Sequence, residues 1–207
     1  MKTITKILLI LSLSVTLVTG LNKEAFAASS HTVQSGDTMW KIAMRYQVGV
    51  SEIINANPQV NNPNLIYPGK RITIPELNGV KSLEEQVVDL VNKERAKHGL
   101  QPLKANWELS RVARFKSKDM IEKNYFSHTS PTYGSPFQMM KDFGISYRAA
   151  GENIAAGQST AQEVMNGWMN SDGHRKNILS SRYTEIGVGY AKGGSYGHYW
   201  TQMFISR

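Results

Sequence analysis

The chain is expected to be an α+β protein built as two modules, on three observations. Residues 31–75 run strand, helix, helix, strand. Residues 82–207 carry their helical patterns first and most of their strand patterns last, an order that packs a sheet against helices. Between the two, Pro75-Glu76-Leu77-Asn78-Gly79-Val80 breaks the pattern. A proline closes an apolar run and an Asn-Gly pair offers a turn, so 76–81 reads as a linker.

In the small module, 31–34 reads as a strand, and Asp37 and Thr38 offer caps to a helix over 39–46. Ser51 caps a second helix over 52–57, which Pro58 stops. After a loop, 71–75 alternates as a strand. A core of about 45 residues supports little more than two strands backed by two helices. In the large module, Ser82 with Glu85 forms a capping box for a helix that Gly99 ends. A second helix spans about 107–123, with Leu109, Val112, Phe115 and Met120 on one side. A third runs from Ser135-Pro136 to Gly144, followed by a strand-like stretch at 145–156. Thr160 and Glu163 form another capping box, for the helix carrying Val164, Trp168 and Met169. The tail alternates as strands over 185–190 and 197–205, with a turn at Gly193-Gly194.

Composition narrows the class. The 207 residues are 41% hydrophobic and 19% charged, enough to bury a core. Lys and Arg number 24 against 16 Asp and Glu, a net +8 that suits a polyanionic surface such as a cell wall carrying acidic polymers. The positive charges are scattered rather than run together, so no nucleic-acid partner is expected. The absence of cysteine excludes a disulfide scaffold, a thiol nucleophile, a thiolate zinc site and an iron–sulfur cluster.

Lys2 and Lys6, an uncharged stretch over 7–18 and Ala25-Phe26-Ala27 are the three parts of a secretory signal peptide, read at 1–27. The apolar stretch is shorter than the ~20 residues a bilayer crossing needs. No transmembrane anchor is therefore expected after cleavage. Export without cysteines fits a Gram-positive cell wall, with a spore surface as the alternative.

His31-Thr32-Val33, Ser35-Gly36-Asp37-Thr38-Met39-Trp40-Lys41-Ile42-Ala43, Asn55-Ala56-Asn57 and Asn64-Leu65-Ile66-Tyr67-Pro68-Gly69-Lys70 lead to Ile72-Thr73-Ile74-Pro75. Over 31–75 the chain resembles a LysM domain. The resemblance implies binding of β-1,4-linked N-acetylglucosamine polymers, in peptidoglycan or chitin, through two loops. Those loops are Gly36, Asp37, Thr38 and Met39, facing Leu65 and Ile66. Gly36 lets a backbone approach a ligand closely, and Leu65 and Ile66 offer an apolar wall. Asp37 and Thr38 can serve as helix caps at the same time.

Gly193-Gly194-Ser195-Tyr196-Gly197 matches the G-x-S-x-G nucleophile elbow. That elbow needs a strand running into a helix, whereas both flanks here read as strands, so a glycine-rich hairpin is expected. Four other segments are Phe126-Ser127-His128-Thr129, Gly151-Glu152-Asn153-Ile154-Ala155, the run from Trp168 through Gly173-His174 to Leu179, and Tyr199-Trp200-Thr201-Gln202-Met203-Phe204. In that order they resemble a CAP domain (the cysteine-rich secretory protein, antigen 5 and pathogenesis-related superfamily) in its cysteine-free bacterial form. The resemblance implies an α–β–α sandwich over 82–207 with a cleft of two His and two Glu.

Carried over, His128 and His174 are the two His and Glu152 is the first Glu; His198 rivals His174. Ser171 stands where the second Glu is expected, unless Asp172 or Glu185 compensates. Two imidazoles and a carboxylate suit a divalent metal such as zinc. They suit acid–base work equally, or a polar cluster tying loops together. Asn153 and Asn177 read as members of such a network and Trp168 as core. The expected protein is a wall-associated LysM tether carrying a CAP module of binding or scaffold role. A wall-targeted hydrolase is the alternative, and a lipid- or sterol-binding module ranks last.

Overall fold

The computed structural model describes residues 29–207, so the signal peptide read at 1–27 lies outside the described residues. The first module comprises β1 (Ser29–Thr32), α1 (Met39–Tyr46), α2 (Val50–Asn55) and β2 (Arg71–Ile74). Its strands pair antiparallel with His31 opposite Ile72. Thr38 caps α1 by accepting the Lys41 amide. Ile42, Ala43, Ile53, Ile72 and Ile74 fill the space between helices and strands. The buried Asn57 ties the end of α2 to β2: its amide donates to the Ile53 and Thr73 carbonyls and its oxygen accepts the Thr73 N–H. Ser51 does not cap α2. The helix begins one residue before it, behind Gly49, and the Ser51 hydroxyl turns to the Glu52 carboxylate.

The second module runs α3 (Asn78–Lys97), β3 (Lys104–Ala105), α4 (Trp107–Glu122), α5 (Pro136–Asp142), β4 (Ala149–Ala156), α6 (Ala161–Met169), α7 (Asp172–Ile178), β5 (Glu185–Lys192) and β6 (His198–Ser206). α3 starts inside the stretch read as a linker, so Ser82 lies within the helix and the expected Ser82/Glu85 box does not form. The extra turn is braced from the first module, because the Lys81 ammonium donates to the Tyr46 carbonyl at 3.1 Å. The Thr160/Glu163 box is present.

The sheet order is β3-β5-β6-β4, parallel only at the two-residue β3. Leu109, Val112 and Ala113 of α4 and Met139 and Met140 of α5 meet Met203 and Ile205 on one face. Val87 and Val91 of α3, Val164 and Trp168 of α6 and Ile178 of α7 meet Ile186, Trp200 and Phe204 on the other. The result is an α–β–α sandwich. Gly187 and Gly189 set its thickness: a Cβ at Gly189 would fall 2.1 Å from backbone atoms of Ala113 and Arg114, so α4 lies directly on β5.

Side chains close both edges of the sheet, which otherwise would offer unpaired backbone groups. Beyond β3, the Val188 and Tyr190 amides donate to the Ser110 hydroxyl and the Glu84 carboxylate, each at 3.1 Å. Along β4, alternate carbonyls accept from side chains: Ala150 from the Tyr183 hydroxyl, Glu152 from Asn177 and Ile154 from the Trp168 indole.

Candidate functional site

The candidate site lies on the β4 edge. Glu152 pairs with Met203, whose side chain belongs to the α4 side of the sheet, so the carboxylate points into that layer. There it meets His128, from the loop after α4, with Nδ1 2.7 Å from Oε1. His128 is 54% exposed while the Glu152 side chain is buried, and Glu152 Oε2 has no hydrogen-bond partner. Burial pushes the Glu152 carboxyl up, and neither the His128 hydrogen bond nor the Lys116 charge reverses it.

The loop that carries His128 is built on Lys116. This fully buried ammonium donates to the Ser127 and His128 carbonyls, each at 2.8 Å, and to the Tyr125 hydroxyl at 3.1 Å. Burial lowers its pKa, opposed by Glu152 and Asp119. Asp119, one turn along α4, accepts from the hydroxyls of Tyr125 and Ser130 at 2.6 Å and of Thr132 at 2.5 Å. Burial works against its charge, but the three donors and Lys116 together hold the Asp119 carboxyl below the usual range. Lys116 and Asp119 were missed from the sequence, yet a signal exists. Lys116 sits four residues from both Val112 and Met120, on the apolar stripe of α4.

From the opposite layer comes His174, on α7. Asn153, next to Glu152 and therefore facing the other side of β4, donates to the His174 carbonyl at 3.1 Å and to Gln202 Oε1 at 3.0 Å. Asn177 donates to Asn153 Oδ1 and to the Glu152 carbonyl. Gly151 makes room for this: a Cβ there would fall 2.5 Å from the Tyr183 oxygen and 3.1 Å from Asn177 Oδ1. Buried Arg95 of α3 holds the far end of α7 by donating to the Ile178 and Ser180 carbonyls. Burial keeps the His174 imidazole below its ordinary pKa, and the nearby His128 adds to this. His174 Nδ1 is buried without a partner. A carboxylate oxygen and an imidazole nitrogen are thus both buried and unsatisfied around one edge strand.

The other named residues lie elsewhere. His198 bonds the Tyr190 hydroxyl at 2.7 Å and stacks on its ring. Asp172 pairs with Arg175, and Glu185 with Asn106 and Arg207, so neither takes the place of a second glutamate beside Glu152. Ser171 precedes α7 without a side-chain cap. Trp168 is core, and Ser195 lies in the β5–β6 hairpin with no helix after it. Among the described residues no three His, Cys, Asp or Glu side chains converge to hold a metal, so the trio does not fit a zinc site as it stands. Nor, among the described residues, does a hydroxyl bond to His128 or His174 as an activated nucleophile would.

In the first module, Gly36 (φ +82°) turns the loop, and the Lys41 ammonium donates to its carbonyl at 2.7 Å. The Asp37 carboxylate accepts from the Gln34 amide at 2.8 Å and from His31 at 2.7 Å, which lowers its pKa. Thr38 is the helix cap and Met39 is buried in the core, so the Met39 side chain does not line the loop surface. Leu65 is exposed and Ile66 half-buried.

Comparison with known proteins covers both modules. Residues 88–204 match the model of the cysteine-rich secretory protein family (CAP), and residues 31–75 match the LysM domain. YkwD of Bacillus subtilis is 59% identical over 130 residues, 63% of this chain and 49% of YkwD. SpoIVD-associated factor A of the same organism is 51% identical over 45 residues, 22% of this chain and 12% of that protein. Among solved structures, an extracellular protein containing an SCP domain from Bacillus anthracis is 38% identical, with a TM-score of 0.58 over 62% of this chain and 41% of that one. The chain thus spans half or less of each of these relatives. Among the described residues, no helix is long and apolar enough to cross a membrane.

Proposed function

The chain belongs to the cysteine-rich secretory protein (CAP) family, and from that premise we propose an exported, cell-wall-associated protein with a division of labour. Its LysM module binds N-acetylglucosamine-containing glycan, peptidoglycan above all, and holds at the wall a CAP module whose cleft binds a ligand. One observation carries the CAP half: Glu152 is buried with one oxygen unsatisfied. Buried polar groups are almost always hydrogen-bonded, so an open carboxylate oxygen on β4 and an open imidazole nitrogen on α7 suit ligands bringing hydrogen-bonding groups. The net charge, +8 over the full chain and +6 without 1–27 and its three Lys and one Glu, favours residence among acidic wall polymers. A 49% identity over 45 residues to the spore coat assembly protein ExsA of Bacillus cereus, 22% of this chain and 7% of that protein, keeps the spore surface as the alternative location.

A wall-targeted hydrolase is the second reading. It draws on the Glu152 carboxyl, which burial pushes up as a general acid requires. One experiment separates the two. Residues 28–207 are mixed with purified sacculi, and sedimentation, released amines and released reducing ends are scored. The expected outcome is sedimentation without product, lost in Leu65→Asp with an unchanged melting curve. Product that disappears in Glu152→Gln would replace binding with hydrolysis, and failure to sediment would remove the tether.

A further inference from the structure

The β5–β6 hairpin is a glycine-rich match to a catalytic elbow that performs no such role, yet it presents Tyr196 outward, 56% exposed. Facing it is Phe126, 45% exposed, with ring centroids 6.0 Å apart and planes 55° from parallel. Tyr199 closes the base, edge-on to Tyr196 at 5.7 Å. Asn124, Tyr125 and Ser195 complete a groove of about 140 Å³. We propose that this groove is a saccharide subsite that stacks one N-acetylhexosamine ring of the peptidoglycan glycan, on the same side of the sheet as Glu152. The ligand class rests on the wall-glycan reading above; the groove itself does not depend on the LysM loops.

Three features argue for that ligand. First, the rings are held in place rather than loosely displayed. Ser195 Oγ donates to Asn124 Oδ1 at 3.0 Å, bolting the hairpin to the loop after α4, and the Gly193 amide closes the turn on the Gly197 carbonyl at 2.8 Å. Asn124 (φ +50°) and Gly194 (φ +63°) take left-handed backbone to do so, and a Cβ at Gly194 would press Tyr199 at 3.1 Å. Preorganised aromatic faces bind without an ordering cost.

Second, no charged side chain lines the groove, although the chain carries +8. An anionic polymer or a lipid phosphate would find no partner there. A sugar ring has an apolar face for Phe126 and Tyr196, and a rim of hydroxyl and acetamide groups for the Asn124 amide and the Ser195 hydroxyl.

Third, the groove lies along the candidate site. Tyr199 pairs with Ala156, four residues down β4 from Glu152, about 13 Å at ~3.3 Å per residue. Phe126 is two residues from His128, on the loop that Lys116 holds. A glycan chain seated on Tyr196 can therefore run past Glu152.

The test is an NMR titration of residues 28–207, labelled on Tyr, Phe and Leu, with soluble peptide-free peptidoglycan fragments. Ring signals of Tyr196 and Phe126 should shift saturably. Tyr196→Ala should weaken the Phe126 response by about tenfold, while Tyr196→Phe should retain it. Leu65→Asp should silence the LysM loops and leave the groove responding. Silence at Tyr196 and Phe126 with a response at Leu65 overturns the subsite and leaves the LysM reading standing. A response in the groove without one at Leu65 upholds the subsite and removes the LysM reading. An undiminished Phe126 response in Tyr196→Ala also overturns the subsite.

Discussion

Two buried glutamates sit at opposite edges of the same sheet. Glu84, on α3, closes the β5 edge; Arg114 Nε donates to its two oxygens at 2.8 and 2.9 Å, and the Tyr190 amide adds a bond. Glu152, on β4, has one oxygen on a half-exposed imidazole and the other on nothing. Burial pushes both carboxyls up, so neither burial nor the direction of the pKa distinguishes them. Saturation of hydrogen bonds does. Glu84 is used up by the fold, whereas Glu152 has capacity left for a ligand.

The largest way to break this contrast is Arg114→Ala. It leaves Glu84 buried and unpaired where α3, α4 and β5 meet, and should cost about 3–5 kcal/mol in urea unfolding. The double substitution Glu84→Leu/Arg114→Met should cost less, about 1–3 kcal/mol for the Tyr190 amide left without its acceptor, because it removes the buried charge along with its partner. A small loss in Arg114→Ala would mean that Glu84 also has slack.

Glu152→Gln should move stability less and in a pH-dependent way. With its folded pKa raised above the ordinary 4.5, Glu152 keeps its proton longer in the folded chain than in the unfolded one. Its contribution is therefore most favourable below the unfolded pKa and is lost as pH rises through the folded pKa. Gln has no such dependence. Compared in a His128→Ala background, which takes the neighbouring imidazole out of the balance, the Gln variant should gain stability relative to its parent from pH 4 to pH 7. The measurement is the urea midpoint at each pH. A difference that stays flat would show that burial does not hold the Glu152 carboxyl above its ordinary pKa in the folded chain.

The contrast was only half legible in the sequence. Glu152 and His128 were singled out by motif, but 24 residues separate them and no periodicity joins them; their contact comes from the β4–β6 register and the Lys116-held loop. Helix α4 could be read because its apolar stripe, Leu109, Val112, Phe115 and Met120, is local. Helix α7 could not: its seven residues include a glycine, and it is held by Arg95 and Asn153 from elsewhere in the chain. The two capping boxes make the same point. Thr160/Glu163 forms because nothing precedes it that continues the helix, whereas Ser82/Glu85 is overrun by a turn that the first module braces.

The smallest effect is expected at Arg111, one turn before Arg114 on the same face of α4. Its guanidinium makes the same chemistry across the module junction: Nε and Nη2 reach the Glu52 oxygens at 2.7 and 2.9 Å, and Nη2 reaches the Ser51 hydroxyl at 3.0 Å. It also lies over the Phe115 ring at 5.0 Å. The difference is water: the Arg111 and Glu52 side chains are 23% and 29% exposed, while Arg114 and Glu84 are buried. Arg111→Ala should therefore cost about 0.2–1 kcal/mol, and less in high salt, which screens exposed charges. Paired urea curves of Arg111→Ala and Arg114→Ala at two salt concentrations test this directly. Equal, salt-independent losses would show that hydrogen-bond geometry rather than burial sets the cost of a broken pair, and the open oxygen of Glu152 would then owe nothing to its depth in the fold.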